Sequence, residues 1–204
     1  FSMQMFKISK REIYEPRCLK PAFVLLLCCV SFGTMLTLVP DVSEHLGMDN
    51  KGIFFTVFTV ASVTVRFSAG RISDRIGRVK VLLVSTLLLA LAMFTIGFAA
   101  TPFVFLTGAV LFGFAQGINS PTIFAWAIDR SDPSMVGRAM ATVYISLEIG
   151  IGLGSLLSGS FYGQDPSRFP WIFGASGALS IVAAVYLALR KEKGIRRMDG
   201  RWEG

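Results

Sequence analysis

Glu148 is the one acidic residue deep inside a long apolar stretch, nine residues into the run Ala139–Tyr162. At the helical rise that is about 13 Å from the end of the run, near the midplane of a hydrocarbon core about 30 Å thick. A carboxylate at that depth is costly to keep charged, so it either takes up a proton, meets a cationic or polar substrate, or pairs with an Arg or a neighbouring helix. Tyr144 lies at i−4 on the same helical face, within hydrogen-bonding reach of Glu148. Gln116 and Asn119 are three residues apart in another apolar run, again near mid-depth, and share a face there. Carboxylate, phenol and amides at such positions suit binding of a small polar or cationic molecule, or of a proton.

Other chemistry is poorly served. The stretch Gly174-Ala-Ser176-Gly177 has the form of a membrane serine-protease nucleophile, but the single histidine, His45, precedes it and none follows it. Cys18, Cys28 and Cys29 have no metal-ligand spacing and read as small apolar packing residues. Gly150-Ile-Gly-Leu-Gly154 lacks the strand and lysine of a phosphate loop. No catalytic residue, metal site or cofactor is expected. No filter-like sequence or ring of charges marks a channel.

Such residues need rigid elements to hold them. Hydrophobic residues make up 53% of the 204 residues and charged residues 16%, against about 25% charged in soluble domains. Six apolar runs are long enough to cross a bilayer: Ala22–Val39, Gly52–Gly70, Val81–Ala100, Pro102–Ile128, Ala139–Tyr162 and Pro170–Leu189. They lack two-residue alternation, so helices rather than a barrel are expected. The fold class is all-α integral membrane, a bundle of six transmembrane helices over residues 21–190. Residues 1–20 form a basic cytoplasmic leader and residues 191–204 a basic cytoplasmic tail facing lipid headgroups. The start at Phe1 reads as a cut end.

The formal charge of +7 gathers in loops and tails rather than on one basic face, which excludes a nucleic-acid partner. With the N-terminus inside, the inner segments hold seventeen Lys and Arg and the outer loops only Lys51 and Arg168. Both termini are therefore expected in the cytoplasm. Arg66, within the second run, either snorkels to the inner surface or joins the charges near it. The third run has few polar residues and suits a lipid-facing position. The pairs Gly113/Gly117, Gly150/Gly154 and Ser155/Gly159 have the small-xxx-small spacing of close helix contacts. Pro121 is expected to kink the fourth helix, for packing or for a moving gate.

Between the second and third runs the chain reads Gly70-Arg-Ile-Ser-Asp74-Arg75-Ile-Gly77-Arg78-Val-Lys80. A positive-inside loop with a glycine turn explains its basic residues but not their order. That order resembles the signature loop of the major facilitator superfamily, matching at Gly70, Asp74, Arg75, Gly77 and Arg78; Val79 departs from the usual basic residue, with Lys80 one place later. The resemblance implies half of a twelve-helix transporter fold, built as a 3+3 inverted repeat, with this chain as the C-terminal half and an N-terminal half as its partner. It implies a multi-pass transporter of the plasma or inner membrane, moving small molecules by alternating access, with proton-coupled efflux of a drug or metabolite as one form. It further implies that Asp74 locks against the other half, that Arg78 pairs with Asp129, and that Gln116, Asn119, Thr34 and Thr37 line a cavity. For the two threonines, hydrogen bonds back to their own helix are the competing reading. A channel and a membrane-embedded enzyme are the alternative functions.

Overall fold

The computed structural model describes residues 15–189. The expected leader and tail fall largely outside these residues. Six helices follow one another: α1 Leu19–His45, α2 Ile53–Ile76, α3 Arg78–Gly97, α4 Pro102–Arg130, α5 Val136–Tyr162 and α6 Phe169–Leu189. All six are long and apolar enough to cross a membrane, and no strand occurs among the described residues.

Local chemistry sets the ends. Thr101 accepts a hydrogen bond from the Val104 amide at 3.4 Å, and Pro102 follows at the first helical position of α4, where its missing N–H costs nothing. Asp132 and Asp165 each begin an Asp-Pro-Ser turn, accepting from the amides of Ser134 and Ser167 at 3.1 Å before α5 and α6. The α2–α3 connection is a single residue, Gly77, at φ 103°, a conformation that side chains beyond glycine rarely adopt.

Two boundaries differ from the hydropathy reading by more than three residues. α1 continues past Val39 and through Pro40 to His45, because Val42 and Ser43 stay buried while Glu44 and His45 are exposed. α2 continues past Gly70 to Ile76. The segment read as a loop is thus the last turns of α2 and the first turn of α3. Charged residues end an apolar run without ending a helix, and no proline interrupts this one.

The packing has an internal two-fold plan. α1 lies chiefly against α5, α4 against α2, and α3 against α6 and α4. Exchanging α1–α2–α3 with α4–α5–α6 maps the first pair onto the second and the third onto itself, as an inverted 3+3 repeat requires. In lipid, helices associate through close packing rather than through hydrophobic burial. Gly150 and Gly154 of α5 accordingly touch the α1 backbone at Leu26 and Val30, and Gly113 and Gly117 of α4 touch α2 at Phe58 and Ser62. Gly33 of α1 answers at Ile151 of α5, so both principal pairs are cemented by backbone-to-backbone contact.

Hydroxyls tie α1 to α6. Thr34 Oγ1 and Ser176 Oγ lie 2.9 Å apart, and Ser31 Oγ donates to the Ser176 carbonyl at 3.2 Å. The protease-like serine is therefore a buried packing residue. α3 is not simply lipid-facing: Ser85 and Thr86 are buried, while Val84, Leu87 and Leu91 form its exposed side. Cys18, Cys28 and Cys29 are buried and free.

Candidate functional site

Two groups of residues stand out, one at the Gly77 end of the bundle and one at mid-span. At the Gly77 end, Arg78 opens α3 and reaches across to the last turn of α4. Its Nε donates to Asp129 Oδ2 at 2.9 Å, and its Nη1 meets Asp74 Oδ1 at 2.5 Å and Ser73 Oγ at 2.7 Å. The Arg78 side chain is 20% exposed, against 61% for Asp74 and 43% for Asp129.

Each charge sits at the wrong end of its own helix. Asp74 and Asp129 lie in C-terminal turns, where the dipole disfavours anions, and Arg78 lies at an N-terminus, where it disfavours cations. Each misplacement costs about 0.3–1 kcal/mol in isolation. Together the three charges compensate one another, so the cluster welds α2, α3 and α4 at this end. Asp74 is engaged within the chain by Arg78, not held free. Gly70 and Arg75 are exposed, and a Cβ on Gly70 would meet nothing within 4 Å. No steric demand inside the chain explains glycine at 70. Arg66 is also exposed on α2 and takes no part in the Arg78 cluster.

At mid-span, Glu148 stands 12 residues after Val136 and 14 before Tyr162, about 18 and 21 Å from the two ends of α5. It is exposed on α5. Tyr144, one turn earlier, is 54% exposed. Its ring rests on Phe124 of α4 with centroids 5.1 Å apart, and no hydrogen bond from it to Glu148 is present among the described residues. The i, i+4 spacing placed the two on one face, but the phenol is drawn to the aromatic neighbour.

The two amides part company. Asn119 is 1% exposed and its Oδ1 accepts from Ser85 Oγ of α3 at 3.2 Å. Gln116 is half-buried on α4, one turn after Phe112. Gln116 Nε2 and Asn119 Nδ2 have no hydrogen-bond partner among the described residues. An unpaired buried amide donor costs about 1–3 kcal/mol. Near Gln116 the rings of Phe32, Phe58 and Phe112 join α1, α2 and α4, with centroids 5.6–6.2 Å apart; this trio could not be read from the residue spacing, since nothing in the spacing links the three helices. Thr37 Oγ1 bonds back to the Gly33 carbonyl at 3.0 Å, and Thr34 faces α6, so neither joins Gln116. Among the described residues no group of three or more His, Cys, Asp or Glu could hold a metal.

Six membrane-length helices in an inverted-repeat arrangement, with an Asp–Arg–Asp cluster capping one end, define a multi-pass membrane protein of transporter architecture. The chain belongs to the Major Facilitator Superfamily, whose sequence pattern it matches over residues 22–203. It is similar to the Staphylopine export protein of Staphylococcus aureus, 28% identical over 178 residues that cover 85% of this chain and 44% of that protein. It is also similar to Multidrug resistance protein 1 of Bacillus subtilis, 24% identical over 82% of this chain and 43% of that protein. In fold it matches the POT family transporter PepTSo with a TM-score of 0.74 at 19% identity, over 85% of this chain and 37% of that one. The chain thus spans less than half the length of these relatives.

Proposed function

We propose that the chain is the C-terminal half of a secondary active transporter that exports small amphipathic or cationic molecules by alternating access, with its Gly77 end in the cytoplasm of a plasma or inner membrane. The observation that carries this reading is Glu148, a carboxylate at mid-span on the open side of the bundle. A group there can be offered to either side of the membrane in turn, and its protonation can be exchanged for a cationic substrate. Gln116 supports the reading, because its unpaired amide has hydrogen-bonding capacity that a substrate would use. The aromatic trio supplies apolar surface beside it.

In this scheme the Asp74–Arg78–Asp129 cluster is the latch at the cytoplasmic end. Its bonds tie α2, α3 and α4 together, and the exposed Asp74 and the open space above Gly70 leave room for the N-terminal half to dock. Closing the latch favours the outward-facing state, and opening it the inward-facing one.

The test is transport into inverted membrane vesicles holding this half together with its N-terminal half, against a substrate panel, with an imposed proton gradient. Gradient-dependent accumulation is expected for at least one amphipathic cation, with the pH dependence abolished in Glu148→Gln. Passive flux that ignores the gradient, or an unchanged pH profile in that variant, would overturn the coupling role of Glu148.

A further inference from the structure

At the end of the bundle opposite Gly77, α5 and α6 scarcely touch. Both lean on α1 and leave a crevice between them of about 460 Å³, with Val30 and Thr34 of α1 as its floor. Its walls are Leu157 and Phe161 of α5 and Ala175 and Leu179 of α6. The hydroxyls that line it are already engaged: Thr34 with Ser176 at 2.9 Å, and Ser158 with the Ser155 carbonyl at 3.3 Å. The interior therefore offers only hydrocarbon surface. A ligand inside it must be apolar along its length, since polar groups would be buried without partners.

The mouth differs from the interior. Arg168 lies there, its side chain 52% exposed, with Nε on Asp165 Oδ2 at 3.2 Å and Nη1 on the Phe161 carbonyl at 2.9 Å. Nη2 has no partner among the described residues. Trp171 and Phe161 flank it, 80% and 64% exposed, as aromatic side chains do at the membrane interface. From Arg168 to Leu179 the helical rise gives about 16 Å, the depth of one leaflet of a core about 30 Å thick. Leu157 is nine residues from Glu148, two and a half helical turns, so the crevice lies on the side of α5 opposite that carboxylate.

From this geometry we infer a lipid site: the crevice takes one acyl chain of a phospholipid in the leaflet at this end, and Arg168 receives its phosphate. The charge complementarity is local, because the exposed guanidinium keeps N–H groups beyond those bonded to Asp165 and Phe161, and a planar fork of donors binds phosphate well. The volume lies in the range of small-molecule sites, and the free side chains at the rim match an amphipathic ligand with its polar end outermost. The inference depends on the membrane span alone, not on transport or on Glu148.

The test is native mass spectrometry of the full chain, purified in detergent and equilibrated with an equimolar mixture of phosphatidylethanolamine, phosphatidylglycerol and a diacyl glycolipid without phosphate. One phospholipid is expected to stay on each chain, preferred over the glycolipid by at least about tenfold, the worth of one charged hydrogen-bonded contact. Ala175→Trp fills the crevice and should abolish retention; Leu179→Trp serves if the first variant does not fold, folding being read by circular dichroism. Arg168→Gln, at an exposed position, should keep a bound lipid but lose the preference for phosphate. Equal retention of glycolipid by the unaltered chain would overturn the inference. So would an unchanged lipid count in a folded tryptophan variant.

Discussion

Substituting Gly154 by alanine should separate α5 from α1, and the neighbouring glycines provide the controls. A Cβ at 154 would stand only 2.2 Å from the Val30 carbonyl oxygen, whereas 3.4 Å begins ordinary contact. The helices must therefore part by about 1.2 Å, and the obstacle is backbone, which has no rotamer to yield. Overpacking of this kind costs about 1–3 kcal/mol. At Gly152 a Cβ meets nothing within 4 Å, and at Gly159 the nearest atom is Thr37 Cγ2 at 3.7 Å. Both controls should gain the propensity of alanine, up to about 1 kcal/mol. The assay is thermal unfolding in detergent for the three variants, together with the maleimide labelling rate of Cys29, which is 5% exposed on the α1 side of the interface. Gly154→Ala should melt below the unaltered chain and label faster, while Gly152→Ala and Gly159→Ala do neither. Matching melting temperatures for all three would refute the backbone contact as the cement of this pair.

The charge cluster permits a swap: Arg78→Gln should weaken transport and loosen the Gly77 end in hydrogen exchange by about 1–3 kcal/mol, and Arg78→Asp combined with Asp129→Arg should recover part of the loss, which a structural role for either residue alone would not allow. Gln116→Leu should split two readouts, stabilising the fold by about 1–3 kcal/mol because a buried unpaired donor is removed, read as a higher melting temperature, while lowering apparent substrate affinity in the vesicle assay. Hydrogen bonds from Ser167 and the nearby Arg168 hold the Asp165 carboxyl below the ordinary 3.8, and Ser134 does the same for Asp132. A depressed carboxylate contributes stability above its unfolded pKa and loses it as pH falls through the folded one, so carboxyl-carbon NMR titration should find both midpoints below the usual aspartate range and Ser167→Ala should raise that of Asp165.

The membrane spans were legible because hydropathy over about 20 residues is a strong signal. The extent of α2 was not, since Arg71, Asp74 and Arg75 end the apolar run while the backbone continues as helix to Ile76. Spacing put Gln116 and Asn119 on one side of α4, yet it carries no information about which helix lies opposite. Asn119 meets Ser85 of α3, and Gln116 does not. Tyr144 shows the same limit, because Phe124 lies 20 residues away on another helix. The resemblance of the Gly70–Lys80 segment implied an inverted repeat, but which helices pair, α1 with α5 and α4 with α2, is a property of the assembled bundle at which only the small-residue spacings on α4 and α5 hinted.

That pairing fixes an order of events during synthesis. Of these six helices α1 is made first, yet its main partner begins at Val136, 91 residues after His45. At about 5–20 residues per second the interval is about 5–18 s. Through that interval Ser31 and Thr34 lack the α6 hydroxyls they meet in the finished bundle, so they must bond back to their own helix turns. α2 can close on α4, and α3 on α4, well before α1 is enclosed. The ribosome thus delivers a membrane-embedded helix that waits in lipid or in the insertion machinery, and the last two helices, not the first, complete its burial.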